Sequence, residues 1–109
     1  MVASGIKRFD VWLVSLNPTK GREINKNRPC IVISPNELDA LSTVLVAPMT
    51  TKGFDLPCRI RCSFQGKEGL ILLDQIRAVD KTRLIKKLGA MQESTHAELC
   101  SSLQELFAY

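Results

Sequence analysis

Apolar positions along this chain fall into short runs separated by polar, turn-forming stretches. Residues 10–16 (DVWLVSL) are rich in branched and aromatic side chains and predict a strand. Residues 30–34 (CIVIS) form a continuous apolar run, as expected of a strand buried on both faces, and the following Ser-Pro-Asn stops it. Residues 35–42 predict a loop with a short turn. Residues 43–47 (TVLVA) predict a third buried strand, with Pro48 ending its pairing because proline brings no N–H to a ladder. In residues 58–64 the alternation is strict. Cys58, Ile60, Cys62 and Phe64 take one face, and Arg59, Arg61 and Ser63 the other, which gives a half-buried strand with a basic outer side. A turn over residues 65–69 leads into another buried strand, residues 70–74 (LILLD).

Residues 80–83 suggest one helical turn with Asp80 as its N-cap, and residues 84–91 fit either helix or strand. Towards the C-terminus Leu99, Cys100, Leu103, Leu106 and Phe107 recur at three- and four-residue spacing, the signature of an amphipathic helix. Thr95 and Glu98 suit a capping box at its start. About five short strands with tight turns and one terminal helix predict a mainly β fold, a small, strongly bent sheet or partly open barrel with the helix covering one face. At 109 residues, 1–109 form a single domain with one core's worth of apolar side chains.

One stretch breaks this rhythm. Residues 17–29 (NPTKGREINKNRP) are a polar loop between two strands, carrying Lys20, Arg22, Lys26 and Arg28 against a single anion, Glu23. Pro18, Gly21 and the asparagines favour loop geometry, and polar loops fixed at both ends by buried strands often carry the site of a small domain. The net charge of +4 is compatible with an anionic partner. No run reaches the length of a membrane span and residues 1–10 lack the apolar core of a signal peptide, so a cytoplasmic protein is expected. Cys30, Cys58, Cys62 and Cys100 form no CxxC pair. With His96 the only histidine, they read as small core residues, so neither a metal site nor a cofactor is expected.

The ordered set of segments resembles the MazF/PemK toxin family. It comprises residues 12–21 (WLVSLNPTKG), Glu23, Arg28-Pro29, residues 31–35 (IVISP), residues 43–51 (TVLVAPMTT), residues 72–77 (LLDQIR), residues 79–84 (VDKTRL) and residues 87–89 (KLG). The resemblance implies an SH3-like barrel with a C-terminal helix, assembled as a homodimer. It implies the toxin of a type II toxin–antitoxin pair, a metal-independent endoribonuclease that cuts single-stranded mRNA at short sequences, leaving 2′,3′-cyclic phosphate and 5′-hydroxyl ends and arresting growth. The implied inhibitor is a cognate antitoxin with an acidic, partly disordered tail, which can also bring the pair to DNA.

Such cleavage requires a base for the 2′-hydroxyl, cationic stabilisation of the phosphorane and a proton for the leaving 5′-oxygen. Arg28 suits the second task, since a guanidinium grips two phosphate oxygens and Pro29 keeps its backbone extended. The family's catalytic arginine falls there too. The resemblance places the catalytic threonine at Thr50, with Thr51 as its neighbour. Glu23 is either the base or a group that positions RNA, its cationic surroundings lowering its pKa and so its basicity. Asp74 is either an acid–base group, as at this Asp-Gln step in some relatives, or an anchor for a loop backbone. Lys20, Arg22, Lys26, Lys52, Arg59, Arg61 and Arg77 offer a phosphate track, and Gln75 offers a donor and an acceptor. Phe54 is the better candidate for stacking on a base, Trp12 being mid-strand and core. Two departures are Arg22, where one branch of the family has histidine, and Leu72, where it has arginine. Arg22 cannot shuttle protons at neutral pH. His96 is expected to lie away from the site. Two other functions stay open: a gyrase poison of the same fold, and a non-catalytic RNA-binding barrel.

Overall fold

A computed structural model describes residues 5–16 and 26–108. Seven strands, β1 (Asp10–Ser15), β2 (Asn27–Val32), β3 (Thr43–Thr50), β4 (Arg59–Phe64), β5 (Lys67–Leu72), β6 (Arg77–Asp80) and β7 (Leu84–Ala90), precede one helix, α1 (Glu93–Leu106). All pairings are antiparallel. The order is β4-β5-β3-β2-β1-β7, with β6 also on β3, and the sheet curls into an open half-barrel.

β3 joins the two halves. Along one edge it pairs with β2 over residues 46–48. Along the other it pairs with β6 up to Val46 and with β5 from Met49. Pro48 therefore does not end the strand as its chemistry suggested. Residues 47 and 48 fall between the β6 and β5 pairings, where that edge has no ladder to donate to.

The continuous apolar runs have a geometric cause. Successive strand residues point to opposite faces, and this sheet buries both. Val11, Ile31, Ile33, Ala47 and Met49 enter one core, closed by Ile60, Cys62, Ile71, Met91 and Leu99 from β4, β5 and the helical end of the chain. Trp12, Val14, Leu16, Cys30, Val32, Val44 and Val46 enter the other, closed by Ile6, Val79 and Leu84. Trp12 is thus core, and burial pushes the Cys30 thiol up to about 12. Cys62 is likewise raised by burial, while Cys58 and Cys100 are half-buried, so the thiols serve as packing groups.

Other boundaries moved. β2 begins at Asn27 and so takes in Arg28 and Pro29. The turn before β5 is only Gln65–Gly66, both at positive φ, which lets β5 start at Lys67. β5 stops at Leu72, and Asp74 lies in a 3-10 turn, Leu73–Gln75, rather than on the strand. Residues 84–91 resolve as strand β7, paired with β1. Asp80 caps the turn Lys81–Arg83 through Thr82 N–H at 2.9 Å, as expected. The capping box does not form: α1 starts at Glu93 after Gln92, which makes no side-chain cap, and Thr95 is already helical. His96 stacks on Phe9, ring centres 3.7 Å apart, and its Nε2 lies 3.0 Å from the Met91 carbonyl oxygen.

Candidate nucleic-acid cleavage site

Strand register brings two of the anticipated residues together. β2 and β3 pair Val32 with Val46, Ile31 with Ala47 and Cys30 with Pro48. Continuing that register sets Pro29 opposite Met49 and Arg28 opposite Thr50. All four line one cavity of about 250 Å³. Its other walls come from Thr51, from Cys62, Phe64, Gln65, Lys67, Glu68 and Gly69 of the β4–β5 hairpin, and from Leu88.

The Nε of Arg28, one of the lining residues, is buried and has no acceptor among the described residues. A buried donor without a partner costs about 1–3 kcal/mol, so such a group is poised to take an acceptor from outside. The Thr50 hydroxyl oxygen accepts from the Lys52 backbone N–H at 3.1 Å, which leaves its own hydrogen free to donate elsewhere. A phosphate between the two side chains would meet a charged fork on one side and a hydroxyl on the other.

Gly69 makes this approach of strands workable. A Cβ placed there would lie 2.6 Å from the Thr50 carbonyl oxygen, a distance that real Cβ atoms do not reach, so the β3 backbone can sit against β5 only if position 69 has no side chain. Phe64, Gln65, Lys67, Glu68, Gly69 and Leu88 were not anticipated as site residues. Alternation had already put Cys62 and Phe64 on one face. A two-residue turn, read from Gln65-Gly66, would have placed Lys67 and Gly69 beside them, as the observed Phe64–Lys67 and Cys62–Gly69 pairs do.

Thr51, also anticipated, lines the same cavity, and none of the other anticipated residues that are described does. Lys20, Arg22 and Glu23 fall outside the described residues. The stem of their segment is closed, since Leu16 N–H donates to the Lys26 carbonyl at 3.0 Å. Arg77 and Arg83 donate to the carbonyls of Leu16 and Ser15 at 3.1 and 3.3 Å. Arg77 therefore fastens the loop stem. Lys26, Thr51, Lys52 and Phe54 are exposed and Gln75 is half-buried.

Asp74 does not line the cavity. Its two carboxylate oxygens accept from Arg59 Nε and Nη2 at 3.2 and 3.0 Å. Partial burial pushes its pKa up most, but the Arg59 hydrogen bonds and charge, with hydrogen bonds from its own backbone N–H and the Cys58 thiol, together outweigh this and hold the carboxyl below its usual range. Arg61 pairs with Asp55. The basic outer face of β4 is thus already matched by carboxylates. Among the described residues no cluster of His, Cys, Asp and Glu has the makings of a metal site, and no helix is long and apolar enough to cross a membrane.

Comparison with known proteins finds relatives in sequence and in fold. Endoribonuclease MazF of Staphylococcus epidermidis is 31% identical over 105 residues, covering 90% of this chain and 88% of that protein. The crystal structure of MazF from Deinococcus radiodurans superposes with a TM-score of 0.82 at 21% identity, covering 100% of this chain and 99% of that one. An endoribonuclease from a mycobacterial species, solved in complex with its cognate antitoxin, superposes at 0.78 with 18% identity and 93% coverage of each chain. Residues 7–107 match the PemK-like, MazF-like toxin of type II toxin–antitoxin systems, and the chain belongs to that family.

Proposed function

We propose that this toxin is a sequence-specific endoribonuclease that cleaves single-stranded RNA by transesterification without a metal ion. The observation that carries the reading is Arg28 facing Thr50 across one cavity, its buried Nε without an acceptor among the described residues. The RNA 2′-oxygen attacks the adjacent phosphorus, the bond to the 5′-oxygen breaks, and a 2′,3′-cyclic phosphate and a 5′-hydroxyl result. Arg28 neutralises the charge that builds on the non-bridging oxygens, and the Thr50 hydroxyl donates to one of them. Glu23 is the carboxylate we assign to positioning the attacking ribose. Asp74, held by Arg59, is withdrawn from acid–base work. Lys20, Arg22, Lys26, Thr51, Lys52 and Gln75 are the RNA contacts. The toxin acts in the cytoplasm as a homodimer and is neutralised by a cognate antitoxin with an acidic tail laid over the same groove.

Single-turnover cleavage of a long unstructured RNA in EDTA tests the chemistry. Wild type is expected to give discrete fragments with cyclic-phosphate ends, and Arg28→Ala to be slower by about a hundredfold or more. An Arg28→Ala variant as fast as wild type would move the site elsewhere. A wild type that leaves the RNA whole would reduce the protein to a binding toxin.

A further inference from the structure

The exposed residues that follow Thr50 are fastened by the side chain of Arg59, five positions beyond Phe54. Arg59 Nη1 donates to the Phe54 carbonyl at 3.3 Å, and its guanidinium carbon sits 5.0 Å from the centre of the Phe54 ring. Its remaining donors form the two-point pair with Asp74. Gly53 is wedged between the parts. A Cβ there would meet Arg59 Nη1 at 3.5 Å and the Thr50 methyl at 3.9 Å, and its φ of +123° suits glycine alone. The arginine is mostly shielded, with its side chain 13% exposed, whereas Phe54 is 69% exposed.

A large aromatic ring left in water is usually mobile and hidden where it can be. Here one face is covered by a cation that is itself locked by a carboxylate, which leaves the other face outward, one residue along the chain from Gly53, whose Cβ position lies 3.9 Å from the Thr50 methyl. We propose that Arg59 and Asp74 form a clamp that presents the free face of Phe54 as a stacking platform for one unpaired RNA base next to the cleaved phosphate. This rests on the endoribonuclease reading and assigns Asp74 and Arg59 as positioning residues. The occupant follows from the surroundings. Arg28 and the exposed Lys52 favour an anionic polymer, and an unpaired base supplies a flat apolar face within reach of the same backbone. Every base has such a face, so the platform adds affinity and leaves sequence reading to the polar walls.

The test uses an RNA that wild type cuts, resynthesised with a 2′-deoxynucleotide at the cleaved position and 2-aminopurine beside it. Binding and fluorescence quenching are read on this uncleavable strand, and the single-turnover rate at saturating protein on the natural one. Phe54→Ala is expected to weaken binding about tenfold and abolish the stacking quench, and Phe54→Trp to restore both. Asp74→Asn is expected to weaken binding severalfold and to add little to Phe54→Ala in the double variant, because both act through one element. Equal binding by Phe54→Ala and wild type would overturn the platform, as would additive losses in the double variant. Asp74→Asn that binds normally yet cleaves about a hundredfold more slowly would return Asp74 to the reacting atoms. A wild type that cuts no RNA would remove the nuclease reading, and the same binding and quenching arms, read on an unstructured RNA carrying 2-aminopurine, would still decide the platform.

Discussion

At the scale of single residues, the same type of side chain does different work according to what already holds it. Arg59, Arg61 and Arg77 are engaged by Asp74, Asp55 and the Leu16 carbonyl, whereas Arg28 keeps a buried Nε without an acceptor among the described residues. Sequence alone placed the first three on one basic track, because charge can be counted along a chain but pairing cannot. Asp74 illustrates the reverse. A carboxylate beside an apolar run needs a partner, and it has one in Arg59. Its depressed pKa has a pH signature. The stabilisation from this pair is fully present above the unfolded carboxyl value of about 3.9 and is lost as pH falls through the lower folded value. Urea midpoints of wild type and Asp74→Asn are therefore expected to differ between pH 6 and 8 and to converge below about pH 4. A gap that persists in acid would mean that the side chain acts through shape rather than charge.

At the scale of elements, the strands were legible where both faces are buried or one face is basic. β1, β3 and β4 announce themselves by branched residues and by the alternation of Ile60 and Cys62 with Arg61 and Ser63. What escaped was set by neighbours. Pro48 is tolerated because β6 and β5 leave it a gap, and the capping pair Thr95/Glu98 yielded to a helix start nearer Met91. The candidate site divides the same way. Arg28 is readable from its Arg-Pro step, Thr50 emerged only through family resemblance, and the hairpin wall depended on a strand pairing that the chain does not spell out. Gly69 is the sharpest case, a residue with no side chain on which the position of Thr50 depends. Gly69→Ala is expected to destabilise the fold by about 1–3 kcal/mol, because β5 must shift away from the Thr50 carbonyl. Cleavage should fall further than the loss of folded protein explains. Denaturant unfolding together with single-turnover rates on the folded fraction separates the two effects, and a rate equal to wild type would show that the strand shift spares Thr50.

At the scale of the molecule, the sheet carries two cores to which β1, β2 and β3 all contribute, and the cavity borders the one that holds Met49 and Cys62. The net charge of +4 is modest and several arginines are paired, so few phosphates are expected to be gripped. For the five cations assigned to RNA, Lys20, Arg22, Lys26, Arg28 and Lys52, the logarithm of RNA affinity should fall with the logarithm of salt with a slope of about −3.5. Filter binding of the uncleavable RNA across a salt series measures it, and a slope near −6 would imply a far longer basic track than these pairings leave.

The stem of residues 17–25 is tied by Arg77 and Arg83 to the carbonyls of Ser15 and Leu16, and by Leu16 to the carbonyl of Lys26. A carbonyl is the one acceptor that every amino acid supplies. The grip at the two ends of this stretch therefore runs through backbone carbonyls, and substitutions at Ser15 or Lys26 leave it in place. Those two positions can then drift by mutation without first passing through an unfolded protein.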